Sequence, residues 1–423
     1  GWDRCLLVTR AAIRRVGLLD EMRPGDAPGA LADFRRQAAS LDFENVVDPE
    51  TRLSATEHDA QPGQIESGAP ERPCLLALVH EGGGGARFAV EDLLLILSSA
   101  FHCLLLGTGR NHWSLYEARD GAFKMRRYYA FPDSWRVDSV LDDDRSGVLE
   151  DVCRSFAVDL VNIHHLLGNH PEAVGLFRKL ELPVIFSFHD FYALCPTSHL
   201  VDDKLAYCAG RCTEGEGSCA VNRDFFRGAG PVLKHRYVHE HRRRMQSALA
   251  QCSAHTAPSK TVFHRLEKFP GFNALSNLHI IPHGSRGERL ELAADPAGAW
   301  PVRVLCPGNL NEAKGSRLIR RLTELNCARG QPLEFHFLGA GQNVFRSGES
   351  GAVHHGPYRR DEFDLWVEKI RPSFALLAPV CEETWSFTLS ECWGCGIPVF
   401  ASDLGALQER IELNGGGWLF AAG

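Results

Sequence analysis

No apolar run in this sequence reaches the roughly 18 residues that span a bilayer, so no membrane-crossing helix is expected. Positive charge is not in excess either. The 46 Lys and Arg residues are outnumbered by 53 Asp and Glu, for a formal net charge of -7. A mildly acidic chain lacks the basic footprint of a nucleic-acid binder. Nor does the N-terminus carry an initiator methionine or a signal peptide. Fourteen cysteines in 423 residues do not make a small disulfide scaffold. Cys74, Cys103, Cys306 and Cys392 sit inside apolar runs, the setting of buried, reduced thiols. The expected location is cytoplasmic. What is present is ordinary globular composition, 44% hydrophobic and 23% charged, which excludes wholesale disorder.

The length fits two to three domains. Residues 57–72, "EHDAQPGQIESGAPER", are polar, rich in Gly and Pro and without periodicity, and read as a linker. From residue 73 buried-strand runs alternate with helix-like spacing: "CLLALVH", "HCLLLG", "VDLVNIHH", "LPVIFSFHD", "AHTAPS" and "LHIIPHG". The rhythm restarts after a loop with "VRVLCPGN", "LEFHFLG", "FALLAP" and "IPVFASD". Two α/β domains with parallel sheets follow, at 73–285 and 286–423. Ligands of open α/β sheets lie beyond the carboxyl ends of the strands, so two facing sheets share one cleft. The sequence stops at "GGGWLFAAG" without a closing helix, which reads as a fragment cut at both ends.

The densest chemical signal is "CEETWSFTLSECWGCGIPVFASDLGALQER". Glu383 falls in the loop after a strand. Glu391 falls about one turn into the next helix, facing the same crevice. Carboxylates accept hydrogen bonds from vicinal hydroxyls, so this spacing suits two sugar rings. The amides of Ser386, Phe387 and Thr388 open that helix and suit a diphosphate. A solvated loop with two glutamates would show the same spacing, but the Gly-Ile-Pro-Val strand downstream argues against it. Upstream, "CPGNLNEAKGSRLIRR" places Lys314 and Gly315 at a second helix N-terminus. Lysine plus a helix N-terminus receives a diphosphate without metal and stabilises a departing one.

These segments resemble the family 4 retaining glycosyltransferases of the GT-B type, two facing Rossmann-like domains. The Glu-x7-Glu of that family is matched by Glu383 and Glu391. Its Gly-Arg-x4-Lys-Gly stretch is matched by Gly308, Asn309, Lys314 and Gly315, with Asn309 in place of the arginine. That replacement removes one cation from the diphosphate site, which would weaken donor binding, change its character, or be covered by Arg317 one helical turn on. The wording "EETWSFTLSE" to "DLGALQER" resembles a subgroup from large bacterial proteins that build O-antigen and other surface polysaccharides. The resemblance covers residues 73–423. It implies a nucleotide diphosphate sugar as donor, no required cofactor, and a glycan or lipid-linked acceptor.

In the first domain Gly82–Gly85 form a loop between strand and helix, without the Gly-x-Gly-x-x-Gly dinucleotide form. By resemblance Gly83 and Gly84 face the sugar and diphosphate. A plain flexible loop would read the same. His189 ends a strand where the family has a histidine that meets the reacting sugar, and is the expected active-site residue here. His164 and His165 are further cleft candidates. Cys195, Cys208, Cys212 and Cys219 offer an irregularly spaced structural zinc set, or simply thiols near the acceptor cleft. The basic helix "KHRYVHEHRRRMQSALAQ" suits a lipid-linked diphosphate or an acidic inner membrane face, giving peripheral membrane contact, or is merely solvated.

Residues 1–56 resemble the tail of a family 2, GT-A type glycosyltransferase domain, through Val16-Gly17-Leu18-Leu19-Asp20-Glu21. The acidic pair expected downstream falls at Ala30-Leu31, so this stretch is a remnant without that chemistry. The implied activity is transfer of a hexose to a hydroxyl with retention. A non-catalytic scaffold or carbohydrate-binding module, motivated by Asn309, and a GT-B-like sugar-nucleotide epimerase stand as alternatives.

Overall fold

The computed structural model describes residues 72–202, 206–212, 237–284, 301–330, 332–339 and 352–422. The expectations for residues 1–56, for 57–71 and for Cys219 fall outside the described residues. Two sheets carry the fold. The first has eight strands in the order β4-β3-β2-β1-β5-β6-β7-β8, the second six in the order β11-β10-β9-β12-β13-β14.

Continuous apolar runs become strands buried on both faces, as parallel sheets demand. β1 (Cys74–His80) pairs in parallel with β2 (His102–Thr108) on one side and β5 (Val158–Ile163) on the other. β6 (Val184–Ser187), β7 (Ala254–Ala257) and β8 (Leu278–Ile280) continue the parallel series, although β8, expected as a buried strand, is an exposed edge. Sequence reading missed the far edge. There β3 (His112–Arg119) and β4 (Ala122–Ala130) form an antiparallel hairpin beyond β2. Its turn is Asp120-Gly121, both with positive φ, at 55° and 77°. That is the Asp-Gly pair a two-residue hairpin turn requires.

The second sheet is parallel throughout: β9 (Val302–Pro307), β10 (Leu333–Leu338), β11 (Ala352–Gly356), β12 (Phe374–Leu377), β13 (Val399–Ser402) and β14 (Gly417–Phe420). Its order reverses between β9 and β12. That of the first reverses between β1 and β5. Such switch points open a crevice beyond the carboxyl ends of the strands.

The described helices are α1 (Gly85–Leu97), α2 (Asp143–Ser155), α3 (Ala173–Lys179), α4 (Val238–Leu249), α5 (Lys260–Leu266), α6 (Ser316–Ala328), α7 (Phe363–Ile370), α8 (Phe387–Gly394) and α9 (Gly405–Asn414). Helix α4 is the basic helix. Val238, His241, Met245, Ala248 and Leu249 bury one stripe of it. Two of its three arginines are held by other elements, while Arg243 stays 75% exposed beside Glu240. Arg242 donates to the Leu194 and Gly210 carbonyls. Arg244 binds Glu172 and the Val137 and Ser139 carbonyls. No helix among the described residues is long and apolar enough to cross a membrane.

The two sheet domains meet through polar clasps. The Glu409 carboxylate on α9 accepts from the Lys260 and Thr261 amides, at 3.0 and 2.9 Å, and from the Thr261 hydroxyl at 2.9 Å. It thereby fills donors that the start of α5 leaves unpaired. Arg265 holds Glu382 with a guanidinium fork. The Ser259 hydroxyl donates to the Thr384 carbonyl at 2.8 Å, and the Thr384 hydroxyl donates to the His189 carbonyl.

Candidate functional site

Both switch points open into the same cleft. β9 delivers the 308–315 turn, and β12 delivers the 378–386 loop. The two are tied by the Val380 amide on the Ala313 carbonyl at 3.0 Å. Gly315 sits left-handed, φ 81°, directly before α6. A Cβ there would collide with the Ala378 carbonyl, so only glycine lets the turn lie this close. That approach carries the Lys314 ammonium onto the Glu383 carboxylate as an ion pair. Burial pushes the Glu383 carboxyl up, but Lys314 outweighs it and holds it below the usual 4.5. Glu383 is therefore a carboxylate at neutral pH.

Helix α8 starts at the end of the same loop. Ser386 precedes it with φ 69° and ψ 94°, an unusual conformation for a residue with a side chain. Arg410 holds it there, donating to the Trp385 and Ser386 carbonyls at 2.8 Å each and to the Ser390 hydroxyl at 2.8 Å. Its guanidinium lies 3.7 Å from the Trp385 ring centroid. Burial lowers Arg410 to about 10, which leaves it charged. The first amides of α8, from Phe387 and Thr388, have no intrahelical acceptor, as at any helix start. One turn on, Glu391 accepts from the Tyr358 hydroxyl at 3.2 Å and from Arg360 at 3.2 Å.

The first domain reaches the same helix start. Gly83 and Gly84 both have positive φ, with nothing within 4 Å of where a Cβ would lie. Gly85 opens α1 against the Phe387 ring, close enough that a Cβ would sit 3.1 Å from it. His283 stacks between His189 (5.1 Å, 10°) and Phe387 (5.3 Å, 6°). His164 Nδ1 and His189 Nε2 share a hydrogen bond at 2.8 Å. His165 donates from Nε2 to Asp190 at 3.0 Å. Burial depresses His80 and His164 to about 3, His283 to about 4, and His189 well below its usual value. His80, His164, His189 and His283 are therefore neutral at neutral pH.

The structure thus brings Lys314, Gly315, Glu383, Ser386, Phe387, Thr388 and Glu391 around two loop ends and one helix start, with His189 and the Gly83-Gly84 loop opposite. Two other expected participants lie at more open positions. Asn309 is exposed. Arg317 pairs with Glu312 at 3.2 Å on the open surface, with its side chain 69% exposed. Cys195 Sγ lies 3.3 Å from the Thr197 hydroxyl, and Cys208 Sγ faces the Leu200 carbonyl at 3.0 Å. No group of three metal-ligating side chains is placed to hold an ion among the described residues. Sequence reading also missed His283, Tyr358, Arg360 and Arg410. The first three lie just past the carboxyl ends of β8 and β11, so the strand-end rule that found Lys314 would have found them. Arg410 lies inside a helix and carried no such signal.

No protein-family model matches the sequence, and no curated protein matches it. Among solved structures, sucrose-phosphate synthase from Thermosynechococcus elongatus superposes with a TM-score of 0.56. Identity is 13%, over 83% of this chain and 86% of that chain. The fold is GT-B. The HepE protein of Anabaena in complex with UDP matches at a TM-score of 0.49 and 13% identity, over 83% of this chain and 86% of that chain. The catalytic domain of starch synthase IV from Arabidopsis thaliana, bound to ADP and acarbose, matches at 0.48 and 12%, over 80% and 84%.

In this GT-B frame the cleft offers an ammonium, an α8 amide cluster and two carboxylates, beside a wall of neutral imidazoles. Such a set can neutralise a pyrophosphate while accepting hydrogen bonds from sugar hydroxyls.

Proposed function

We propose that the chain is a glycosyltransferase that moves a hexose from a nucleotide diphosphate sugar to a hydroxyl of a polysaccharide or lipid-linked glycan. Retention of configuration and a place among the family 4, surface-polysaccharide enzymes follow from the sequence resemblance. The observation that carries the reading is the Lys314–Glu383 pair at the β9/β12 switch point, beside the start of α8. Lys314 and the Phe387 and Thr388 amides take the diphosphate. They stabilise the charge that grows on it as the glycosidic bond breaks. Glu383 holds the donor hexose through its hydroxyls, and Glu391 holds the ribose. His189, neutral and fixed by His164 and His283, contacts the sugar from the first domain. The departing phosphate oxygen takes the acceptor proton. A cytoplasmic location and domains at 73–285 and 286–423 complete the proposal.

The test is Glu383→Ala, assayed for transfer and for nucleotide binding by calorimetry with UDP, ADP and GDP. Transfer should fall by about a hundredfold or more, the scale of removing a group that acts on the reacting sugar. Nucleotide affinity should change little. Full activity in the variant sinks the assignment. Failure of the unaltered protein to bind any nucleotide would leave the scaffold reading instead.

A further inference from the structure

Arg360 lies in the connection between β11 and α7, and its guanidinium is held from several sides. Nε donates to Glu391 Oε1 at 3.2 Å. Nη1 donates to Asp92 Oδ2 at 3.1 Å, across the cleft on α1 of the first domain. The guanidinium carbon lies 4.8 Å from the Phe387 ring centroid and 6.0 Å from that of Phe88. The Arg360, Glu391 and Asp92 side chains are 24%, 13% and 20% exposed, so the chain of charges is largely shielded from solvent.

The acceptor geometry of Glu391 gives this chain a purpose. A carboxylate offers about four lone-pair positions. Arg360 takes one on Oε1 and the Tyr358 hydroxyl takes one on Oε2. Acceptor capacity remains on each oxygen, which suits the two vicinal hydroxyls of a ribose. Arg360 and Tyr358 thus choose which lone pairs face the cleft. Of these two donors, only Arg360 is shown reaching across to the first domain.

We infer that Arg360 is a positioning residue that makes the ribose grip of Glu391 depend on the first domain, through the Asp92–Arg360–Glu391 chain of charge-assisted hydrogen bonds. The inference rests on the proposed donor site and adds a coupling to it. With the domains together, Asp92 aligns the guanidinium, and Glu391 presents a bidentate acceptor. With them apart, Arg360 loses one anchor and the carboxylate loses its fixed orientation. Discrimination for the ribose diol then becomes a measure of closure.

The experiment compares the tightest-binding nucleoside diphosphate of a UDP, ADP and GDP panel with its 2′,3′-dideoxy counterpart. Dissociation constants are measured by calorimetry on the full chain, and thermal melting checks the fold. The unaltered protein should prefer the ribose form by about tenfold or more, the scale of a hydrogen bond to a charged group. Glu391→Ala should abolish that preference. If it does not, the ribose role of Glu391 falls, and the inference falls with it. Given a sensitive Glu391, Arg360→Gln should cut the preference about tenfold and Asp92→Asn about threefold, with little change in the dideoxy affinity. Asp92→Asn should add nothing in the Arg360→Gln background. Arg360→Lys, which keeps the charge without the fork, should restore part of the preference. Preference unchanged within twofold in Arg360→Gln overturns the inference while leaving the donor site standing. So do additive effects of the Asp92 and Arg360 substitutions.

Discussion

Lowering the pH from 7.5 to 5.5 should strip several kcal/mol from the first domain, because it folds around neutral histidines. His164, His170 and His241 are 3%, 1% and 2% exposed. Burial depresses them from 6.5 to about 3, 4 and 4. His241 Nε2 donates to the Tyr192 carbonyl at 2.6 Å. Nε2 of His164 and of His170 has no hydrogen-bond partner. A proton added to either would be a buried donor facing nothing. These groups have folded values below their unfolded ones. Their stabilisation is therefore complete above 6.5 and is lost as pH falls toward the folded values. At pH 5.5 the unfolded chain gains about 1.4 kcal/mol per histidine relative to pH 7.5, so three cost about 4 kcal/mol. His80, His189 and His283 act in the same direction. Against a total of about 5–15 kcal/mol this is a large fraction.

The assay is potentiometric proton uptake on unfolding in urea, paired with urea midpoints at pH 7.5, 6.5 and 5.5. At pH 5.5 unfolding should take up about three protons or more, and the midpoint should fall steeply. Carboxylates contribute little there, since their ordinary values lie near 4. Uptake of less than one proton, or a midpoint flat from 7.5 to 5.5, would refute the reasoning. The histidines would then be charged or solvated.

Gly315→Ala should cost about 2–5 kcal/mol, from left-handed strain plus collision with the Ala378 carbonyl. Gly330→Ala, also left-handed but with nothing within 4 Å, should cost only about 1–2 kcal/mol. Equal melting temperatures for the two variants would remove the close-approach argument. Glu409→Ala removes three hydrogen bonds at the start of α5 and should cost about 0.5–2 kcal/mol by urea titration, with a raised donor KM. An unchanged midpoint would mean the clasp contributes nothing in solution.

What sequence reading reached and what it missed divide along physical lines. β1 reads as Cys-Leu-Leu-Ala-Leu-Val-His, and burial on both faces leaves no other use for such a run. The β3–β4 hairpin mixes polar and apolar positions. It escaped a search for continuous apolar strands, although Asp120-Gly121 marks its turn. Lys314 and Glu383 were legible because strand ends and helix starts are local features, and the crevice lies where they meet. Their surroundings were not. Arg360 meets Asp92 across 268 positions and Arg265 meets Glu382 across 117.

The arginines make the reason plain. A row of basic residues on α4 looks like a surface for anions, because spacing reports only which face a side chain leaves from. Where it ends depends on acceptors supplied by distant elements. The Gly210 and Val137 carbonyls take up Arg242 and Arg244. The same logic runs in reverse for Asn309. Counting cations along the motif suggested a weakened diphosphate site. Arg360 and Arg410 do reach α8 from outside the motif, one 4.8 Å from the Phe387 ring centroid and the other on the Ser386 carbonyl, but the first is paired with Glu391 and Asp92 and the second with backbone carbonyls. The charge balance of a cleft is set by every element that opens into it. A motif read along one loop therefore reports only part of that balance.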